Sequence, residues 1–398
     1  METIDIKLIK QYPNNPKEHP DEQIDMIVNS IREFGFNQSI VLDKNNEIIV
    51  GHGRYLAALK MGMTEVPFIR KENLTDEQVK AYRIADNKLN ESGWNMPLVI
   101  DELKGLSDEM IELTGFDKDL IIEPDEKDDV IPEDAPPICQ LGDLWQLGKH
   151  RLLCGDAVNE SDANKLMGTS IAKMVFTSPP YNMAENMYEK YKDNLERGEY
   201  IKFNLDVINN FKIFIQGFFF WNISYNRNSR DDFIEILYRI IKETNLKFLE
   251  LIVWNKKHAL PITSREMLTR QYEDILLIGD QESIATDLEL YFCGSNNKNA
   301  WFNKKTQKGI TNYWEIGTNK TQLKNLLACF PVALPTKAIL LMSNENDIVV
   351  DPFLGSGSTL IACEKTDRIC YGMEIDPHYC DVIIKRWEDY TGEKAVKL

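Results

Sequence analysis

The run Asp351-Pro352-Phe353-Leu354-Gly355-Ser356-Gly357-Ser358-Thr359 constrains the fold of this chain more than any other stretch. It follows the apolar residues 348–350 and leads into a second apolar run that begins at Leu360. That order predicts a strand, a Gly-rich turn and then a helix. Glycines at 355 and 357 let the backbone turn tightly and approach a ligand where a Cβ would intrude. One such turn is weak evidence, because many α/β folds use it only to reverse the chain. The surrounding pattern adds to it. Strand-like runs at 173–176, 218–223, 249–254, 274–278 and 369–375 alternate with segments that read as helices. A hairpin is expected at 144–147 and 150–154, and Pro377 opens a final amphipathic helix. The fold class predicted is α/β, a doubly wound, mainly parallel, Rossmann-like sheet.

A second stretch, Thr177-Ser178-Pro179-Pro180-Tyr181, follows the strand at 173–176. Ligands bind at the carboxyl ends of strands in open α/β sheets. Two successive prolines set φ and remove backbone donors, which fixes the path of the chain. They hold the Ser178 hydroxyl, the Pro179 carbonyl and the Tyr181 ring in one geometry. A polar side chain, a carbonyl and an aromatic face suit a planar base that bears an amino group.

Together the two stretches resemble the signatures of S-adenosylmethionine-dependent DNA methyltransferases that modify exocyclic amino groups. Asp-Pro-Phe-x-Gly-Ser-Gly-Ser/Thr-Thr is that family's cofactor motif, and Asp/Asn/Ser-Pro-Pro-Tyr/Phe its catalytic motif. Here the catalytic motif comes first, an order that resembles the circularly permuted β group over roughly residues 138–398. The resemblance implies S-adenosyl-L-methionine as cofactor, double-stranded DNA as partner, and Ser178, Pro179, Pro180 and Tyr181 as the catalytic loop. It places the methionine part of the cofactor near Phe353, Gly355 and Ser356, and counts Asp351 and Gly357 among the cofactor-binding residues. The segment 330–337 resembles the motif that precedes the cofactor motif, so Thr336 and Lys337 become candidates for the cofactor carboxylate. Asp156 resembles an acidic position of another cofactor-side motif. Glu374, at the end of the strand after the Gly-rich turn, is the better candidate for ribose hydroxyls. Asp376 is second, and a helix-capping role suits it equally well. The family's cytosine enzymes mostly carry Ser where this chain has Ser178, and its adenine enzymes mostly carry Asp or Asn. Cytosine N4 is therefore the expected target and adenine N6 the alternative. RNA or protein glutamine methylation is a further reading, although those enzymes usually carry Asn at this position. A nucleotide-dependent DNA-binding adaptor with an inactive methyltransferase half is the reading from another class.

The net charge of −17 looks unsuited to DNA, whose phosphates call for a basic surface. The signs are segregated, however. Residues 123–134 hold seven acidic side chains and one lysine, whereas residues 296–324 hold six lysines and only Glu315. Lys256, Lys257, Arg265 and Arg270 form one basic group, and Lys298, Lys304, Lys305 and Lys308 another. Both are candidate phosphate contacts. Target recognition is expected at about 281–323, where Tyr291, Trp301, Phe302, Tyr313 and Trp314 are interleaved with lysine and asparagine. For Trp314 a core role is at least as natural.

Seven cysteines without a CxxC pair point to a reduced, cytoplasmic setting and away from a zinc site. No run is long and apolar enough to span a bilayer. The acidic, Pro-containing stretch 116–137 reads as an extended, self-repelling linker between a domain at 1–115 and a methyltransferase domain at 138–398. In the first domain, Ile24, Ile27, Val28 and Ile31 recur at helical spacing before Gly35. Strands are expected at 39–42, 47–50 and 65–69. Gly51-His52-Gly53-Arg54-Tyr55-Leu56-Ala57-Ala58 is a Gly-punctuated helix start. This layout resembles the small α+β ParB/sulfiredoxin-like domain. His52 or Gly53 occupies the place of the reactive cysteine of sulfiredoxins, which argues against their chemistry. A helix N-terminus of this kind is a ready anion site. Gly51, Gly53 and Arg54 are thus candidate ligands for a phosphate of a nucleotide or of DNA, with a structural salt bridge the alternative for Arg54.

Overall fold

A computed structural model describes residues 2–13, 15, 19–89, 96–116, 118–132, 134–182, 195–225, 230–257, 271–280, 290–293, 300–303, 311–318 and 329–398. The chain divides into two compact units, Met1–Ile121 and Ile122–Leu398. Among the described residues no helix is long and apolar enough to cross a membrane.

The first unit contains β1 (Thr3–Asp5), α1 (Asp21–Phe34), β2 (Ile40–Asp43), β3 (Ile48–Val50), α2 (His52–Lys60), β4 (Glu65–Lys71), α3 (Asp76–Leu89), α4 (Met96–Leu103) and α5 (Asp108–Thr114). Its strands lie in the order β1-β4-β2-β3. Ile24 and Val28 on α1 bury against Ala57 on α2, which is the packing their spacing predicts. Ile40, Leu42, Ile48, Tyr55 and Val66 close the core between the sheet and α2.

The second unit contains β5 (Leu144–Leu147), β6 (His150–Cys154), α6 (Glu160–Met167), β7 (Ala172–Thr177), α7 (Arg197–Lys212), β8 (Ile215–Ile223), α8 (Arg230–Glu243), β9 (Lys247–Asn255) and β10 (Tyr272–Gly279). It continues with β11 (Leu290–Cys293), β12 (Ala300–Asn303), β13 (Tyr313–Glu315), α9 (Ala333–Met342), β14 (Ile348–Asp351), α10 (Ser358–Lys365), β15 (Ile369–Glu374), α11 (Pro377–Thr391) and β16 (Val396–Lys397). Ten strands form one sheet in the order β13-β9-β10-β8-β7-β14-β15-β6-β5-β16. Its centre, β8-β7-β14-β15-β6, is parallel throughout. Towards one edge β10 runs antiparallel to both β8 and β9, and at the other edge β5 and β16 are antiparallel. The sheet is therefore mixed but mainly parallel.

Neighbouring residues on the central strands face opposite layers. Met174, Phe176, Phe218 and Phe220 pack with α9, α10 and α11, whereas Val175, Phe219 and Trp221 pack with α6, α7 and α8. Strands buried on both faces lose the polar alternation of a half-exposed strand. This explains why the run at 218–223 reads as continuously apolar.

The acidic stretch 116–137 departs from the expected extended linker. Residues Glu126–Asp129 form a 3-10 turn with a capping box from Asp125 and Asp128. Asp128 is buried and meets Lys365 on α10 and Tyr390 on α11, while its carbonyl accepts from Arg386 Nη2 at 2.7 Å. Asp129 accepts from the Val332 amide at 2.8 Å. The part-buried Lys365 and the buried Arg386 attract these carboxylates and overcome their mutual repulsion. Residues 125–129 are therefore a strap on the second unit, while Phe116, Leu120 and Ile121 pack into the first.

Candidate functional site

β7 and β14 are adjacent in the sheet, and the chain leaves them in opposite directions, through α7 to β8 and through α10 to β15. This is the topological switch point of a doubly wound sheet, where a crevice opens at the strand ends. The loop at 178–181 leaves the end of β7, and the Gly-rich turn leaves the end of β14.

Asp351 joins the two. It is fully buried, and its carboxylate accepts from Thr177 Oγ1 and from Thr359 Oγ1, each at 2.6 Å, and from the Phe353 amide at 3.0 Å. Burial lifts its pKa to about 6, although these three donors pull the other way. Asp351, expected among the cofactor ligands, instead ties one loop to the other beneath the crevice.

The Gly-rich turn is shaped for close approach. Gly355 has φ of 55°, and a Cβ built there would meet only the Phe353 carbonyl, at 4.0 Å. The Gly355 amide donates to Glu374 Oε2 at 2.9 Å, and the Asp376 amide donates to Glu374 Oε1 at 3.0 Å. Burial is the main cause that pushes Glu374 up to about 7. Asp376 caps α11 through the His378 amide at 2.9 Å. Asp156 stands on the adjacent strand end, where the Gly155 amide donates to the Glu374 carbonyl at 2.9 Å. Phe353 packs against Phe203 and Trp221. Ser356 is buried and accepts from Arg386 Nη1 at its carbonyl, 2.8 Å, and its hydroxyl, 3.3 Å. Gly357 is the N-cap of α10. The structure therefore brings Asp156, Phe353, Gly355 and Glu374 to one end of the sheet. Thr336 bonds back to the Val332 carbonyl within α9, and the Lys337 ammonium lies over the Trp314 ring.

At the other loop, the Tyr200 hydroxyl donates to the Pro180 carbonyl at 3.0 Å. The hydroxyls of Ser178 and Tyr181 are 2.7 Å apart. Tyr181 donates to Glu273 Oε2 at 3.0 Å, and Asn222 Nδ2 lies 3.0 Å from the Tyr181 hydroxyl and 3.2 Å from Glu273 Oε2. Lys256 forms an ion pair with the other oxygen of Glu273 and lies over Trp254. Asn222 is buried, and its Oδ1 has no hydrogen-bond partner among the described residues. Sequence reasoning missed Asn222 and Glu273, and it read Lys256 only as a DNA contact. The signal was a polar residue set inside or beside an apolar strand run, as in Phe220-Trp221-Asn222-Ile223 and Glu273-Asp274-Ile275-Leu276.

Of the other basic candidates, Lys257 is exposed, while Arg265, Arg270, Lys298, Lys304, Lys305 and Lys308 lie outside the described residues. Most of the expected recognition segment lies outside them too. Its described parts are the β11–β12 hairpin and the 311–318 stretch, where β13 pairs with β9. Trp314 is buried in the sheet's core beside Phe220, whereas Tyr313 is exposed.

The first unit has a cleft of about 550 Å³ lined by Gln38, Gly51, His52, Arg54 and Asp86 among others. Gly51 caps α2 with φ of 103°. Arg54 donates to Gln38, and burial lowers its pKa while Asp86 raises it. His52 is 9% exposed, and its Nε2 has no hydrogen-bond partner among the described residues. Burial, then Arg83 and His19, lower its pKa to about 4, so it is neutral at physiological pH.

Comparison with known proteins follows the same division. A family model described as DNA methylase (N6_N4_Mtase) matches residues 172–386, and a ParB N-terminal domain model matches residues 1–88. The type II methyltransferase M.Cfr9I of Citrobacter freundii is 30% identical over 135 residues, which is 34% of this chain and 42% of that protein. The chain thus spans less than half the length of that relative. The ParB-like nuclease domain-containing protein YnaK of Escherichia coli K12 is 41% identical over 70 residues, 18% of this chain and 80% of that protein. Among solved structures, the cytosine-N4-specific PvuII DNA methyltransferase aligns with a TM-score of 0.45 at 19% identity, covering 63% of this chain and 95% of that one. With more than half of its length matched by the DNA methylase model, the chain belongs to the N6/N4 DNA methylase family and carries a ParB N-terminal domain before its methylase domain.

Proposed function

We propose that the protein methylates the exocyclic amino group of a base flipped out of double-stranded DNA, with cytosine N4 the preferred target and adenine N6 the alternative. The observation that carries this reading is the Asp351 clasp, which fixes the Ser178–Tyr181 loop and the Gly355 turn at one switch point. S-adenosyl-L-methionine fits the second loop. The open space over Gly355 admits a ligand against the backbone, and Glu374 offers a carboxylate at the adjoining strand end. Gly355 and Phe353 would hold the methionine part, and Glu374 with Asp156 the ribose side. When bound, that cofactor supplies a methyl group on a positively charged sulfur.

The chain's own residues do the rest. An exocyclic amine is a poor nucleophile because its lone pair is delocalised into the ring. Ser178 Oγ and the Pro179 carbonyl accept its two N–H bonds and favour a more tetrahedral nitrogen, an interaction strongest in the transition state. The Tyr181 ring stacks on the flipped base, worth about 1–3 kcal/mol by analogy with other base–aromatic contacts. No covalent enzyme intermediate is needed. Lys257 and the basic residues at 265–308 supply phosphate contacts. Methylome sequencing of DNA from cells expressing the protein tests this reading, and mass spectrometry of the nucleosides identifies the base. Methyladenine alone would overturn cytosine, and unmodified DNA would overturn the activity.

The N-terminal cleft favours a phosphate-bearing ligand such as a nucleotide. Arg54 and the first amides of α2 would hold the anion, and the His52 Nε2, without a partner among the described residues, would gain one. Calorimetry with nucleoside triphosphates should give binding that Arg54→Ala abolishes. Equal binding by that variant would reject the site.

A further inference from the structure

Amine methylation leaves one proton too many on the nitrogen, and the polarity of the hydrogen bonds behind Ser178 indicates where it goes. Lys256 can only donate, so Glu273 Oε1 accepts from it. Tyr181 donates its single proton to Glu273 Oε2 at 3.0 Å. Its oxygen must then accept across the 2.7 Å contact with Ser178, so the Ser178 hydroxyl points at Tyr181. Asn222 Nδ2 donates to the Tyr181 hydroxyl at 3.0 Å and reinforces that direction. Asn222 Nδ2 also lies 3.4 Å from Ser178 Oγ, on one of its lone pairs, and the other is left for the substrate amine. Three strands converge here, with Asn222 on β8, Lys256 just past β9 and Glu273 on β10.

We infer that Glu273 is the terminal acceptor of the amine proton, reached through Ser178 and Tyr181. This rests on the methyltransferase reading given above. As the nitrogen–carbon bond forms and the carbon–sulfur bond breaks with its electron pair left on sulfur, the amine nitrogen becomes positively charged. It gives a proton to Ser178 Oγ. Ser178 passes its own proton to the Tyr181 oxygen, and Tyr181 passes its proton to Glu273 Oε2. Each group regains its starting form except Glu273, which becomes a neutral acid beside Lys256. The Glu273 and Lys256 side chains are 13% and 26% exposed, so the proton leaves to solvent on that side. Glu273 does not touch the base. It is a positioning residue that fixes the Ser178 hydroxyl and drains the relay.

The test compares wild type, Glu273→Gln, Tyr181→Phe and the double variant. Tritiated methyl transfer to unmethylated bacterial genomic DNA is followed with enzyme in excess, in H2O and in D2O. Gln keeps the size of Glu273 but cannot take the proton. The expected result is a loss of about 100-fold in rate for each single variant, within the usual range for proton-transfer catalysis. The double variant should be no slower than either single one, because the residues act as a unit. The D2O effect on wild type should be altered in the variants, while calorimetric affinity for S-adenosylmethionine stays unchanged. Glu273→Gln at wild-type rate, or losses that multiply in the double variant, would overturn the relay and leave the methyltransferase reading standing. Wild type without transfer to any DNA would remove both. If Glu273→Gln fails to bind cofactor, Tyr181→Phe decides alone, and a wild-type rate with a wild-type D2O effect rejects the proposal.

Discussion

At the scale of single residues, the two raised carboxylates make opposite demands on pH. Asp351 sits at about 6 in the fold, above its ordinary 3.8, because burial disfavours its charge. The folded chain therefore holds that proton longer than the unfolded chain. Its contribution to stability is complete below about pH 4 and is lost as pH rises through about 6. Asp351→Asn should flatten that slope, since an amide can still bond both threonines; denaturant titration at several pH values would show it. Glu374, at about 7, follows the same sign for stability. For ligand binding the sign reverses, because ribose hydroxyls donate best to an ionised carboxylate. Affinity for S-adenosylmethionine should climb several-fold between about pH 6 and about pH 8 and become flat in Glu374→Gln, read by calorimetry. Ser178→Ala should bind the cofactor normally and lose most turnover. Gly355→Val should lose binding itself, since a β-branched residue at a φ of 55° is strained and its side chain enters the ligand's space.

At the scale of elements, what the sequence makes legible is whatever depends on neighbours in the chain. The strands at 173–176 and 369–375, the Gly-rich turn and the capped α11 all follow from local pattern. The core role of Trp314 was open and is resolved by its burial beside Phe220. Asn222 and Glu273 stayed hidden because their partners come from other strands, and only the sheet order brings them to Tyr181. The strap was misread for a related reason. Its composition is that of a linker, while Lys365, Arg386 and Tyr390, which hold it, lie more than two hundred residues later. A fragment begun at Ile122 should therefore be more stable than one begun at Pro136. The shorter fragment leaves the part-buried Lys365 without the Asp128 carboxylate and the buried Arg386 without the Asp128 carbonyl, a change that costs about 3 kcal/mol. Thermal unfolding of the two fragments would measure it.

At the scale of the whole molecule, the site depends on a pairing between remote parts of the chain. Thr177 and Asp351 are 174 residues apart, yet β7 and β14 are neighbours at the centre of the sheet. A chain ended at Asn344 lacks both β14 and β15, the strands that join β8-β7 to β6-β5, so it should show no cooperative unfolding of its second unit. Refolding from denaturant should be slow for the same reason, because loop closure must precede the central contacts.

The permuted order also sets a timetable on the ribosome. The Ser178 loop and its strand emerge early, with the apolar flank of β7 still waiting for β14 to be translated. During that interval Met174 and Phe176, both buried in the finished fold, have no helix layer from α9 to α11 to cover them. An open strand edge of this kind invites pairing with another nascent chain. Slower elongation through residues 178–348, or a shortage of chaperone, should therefore reduce soluble yield more than it reduces the specific activity of the molecules that finish.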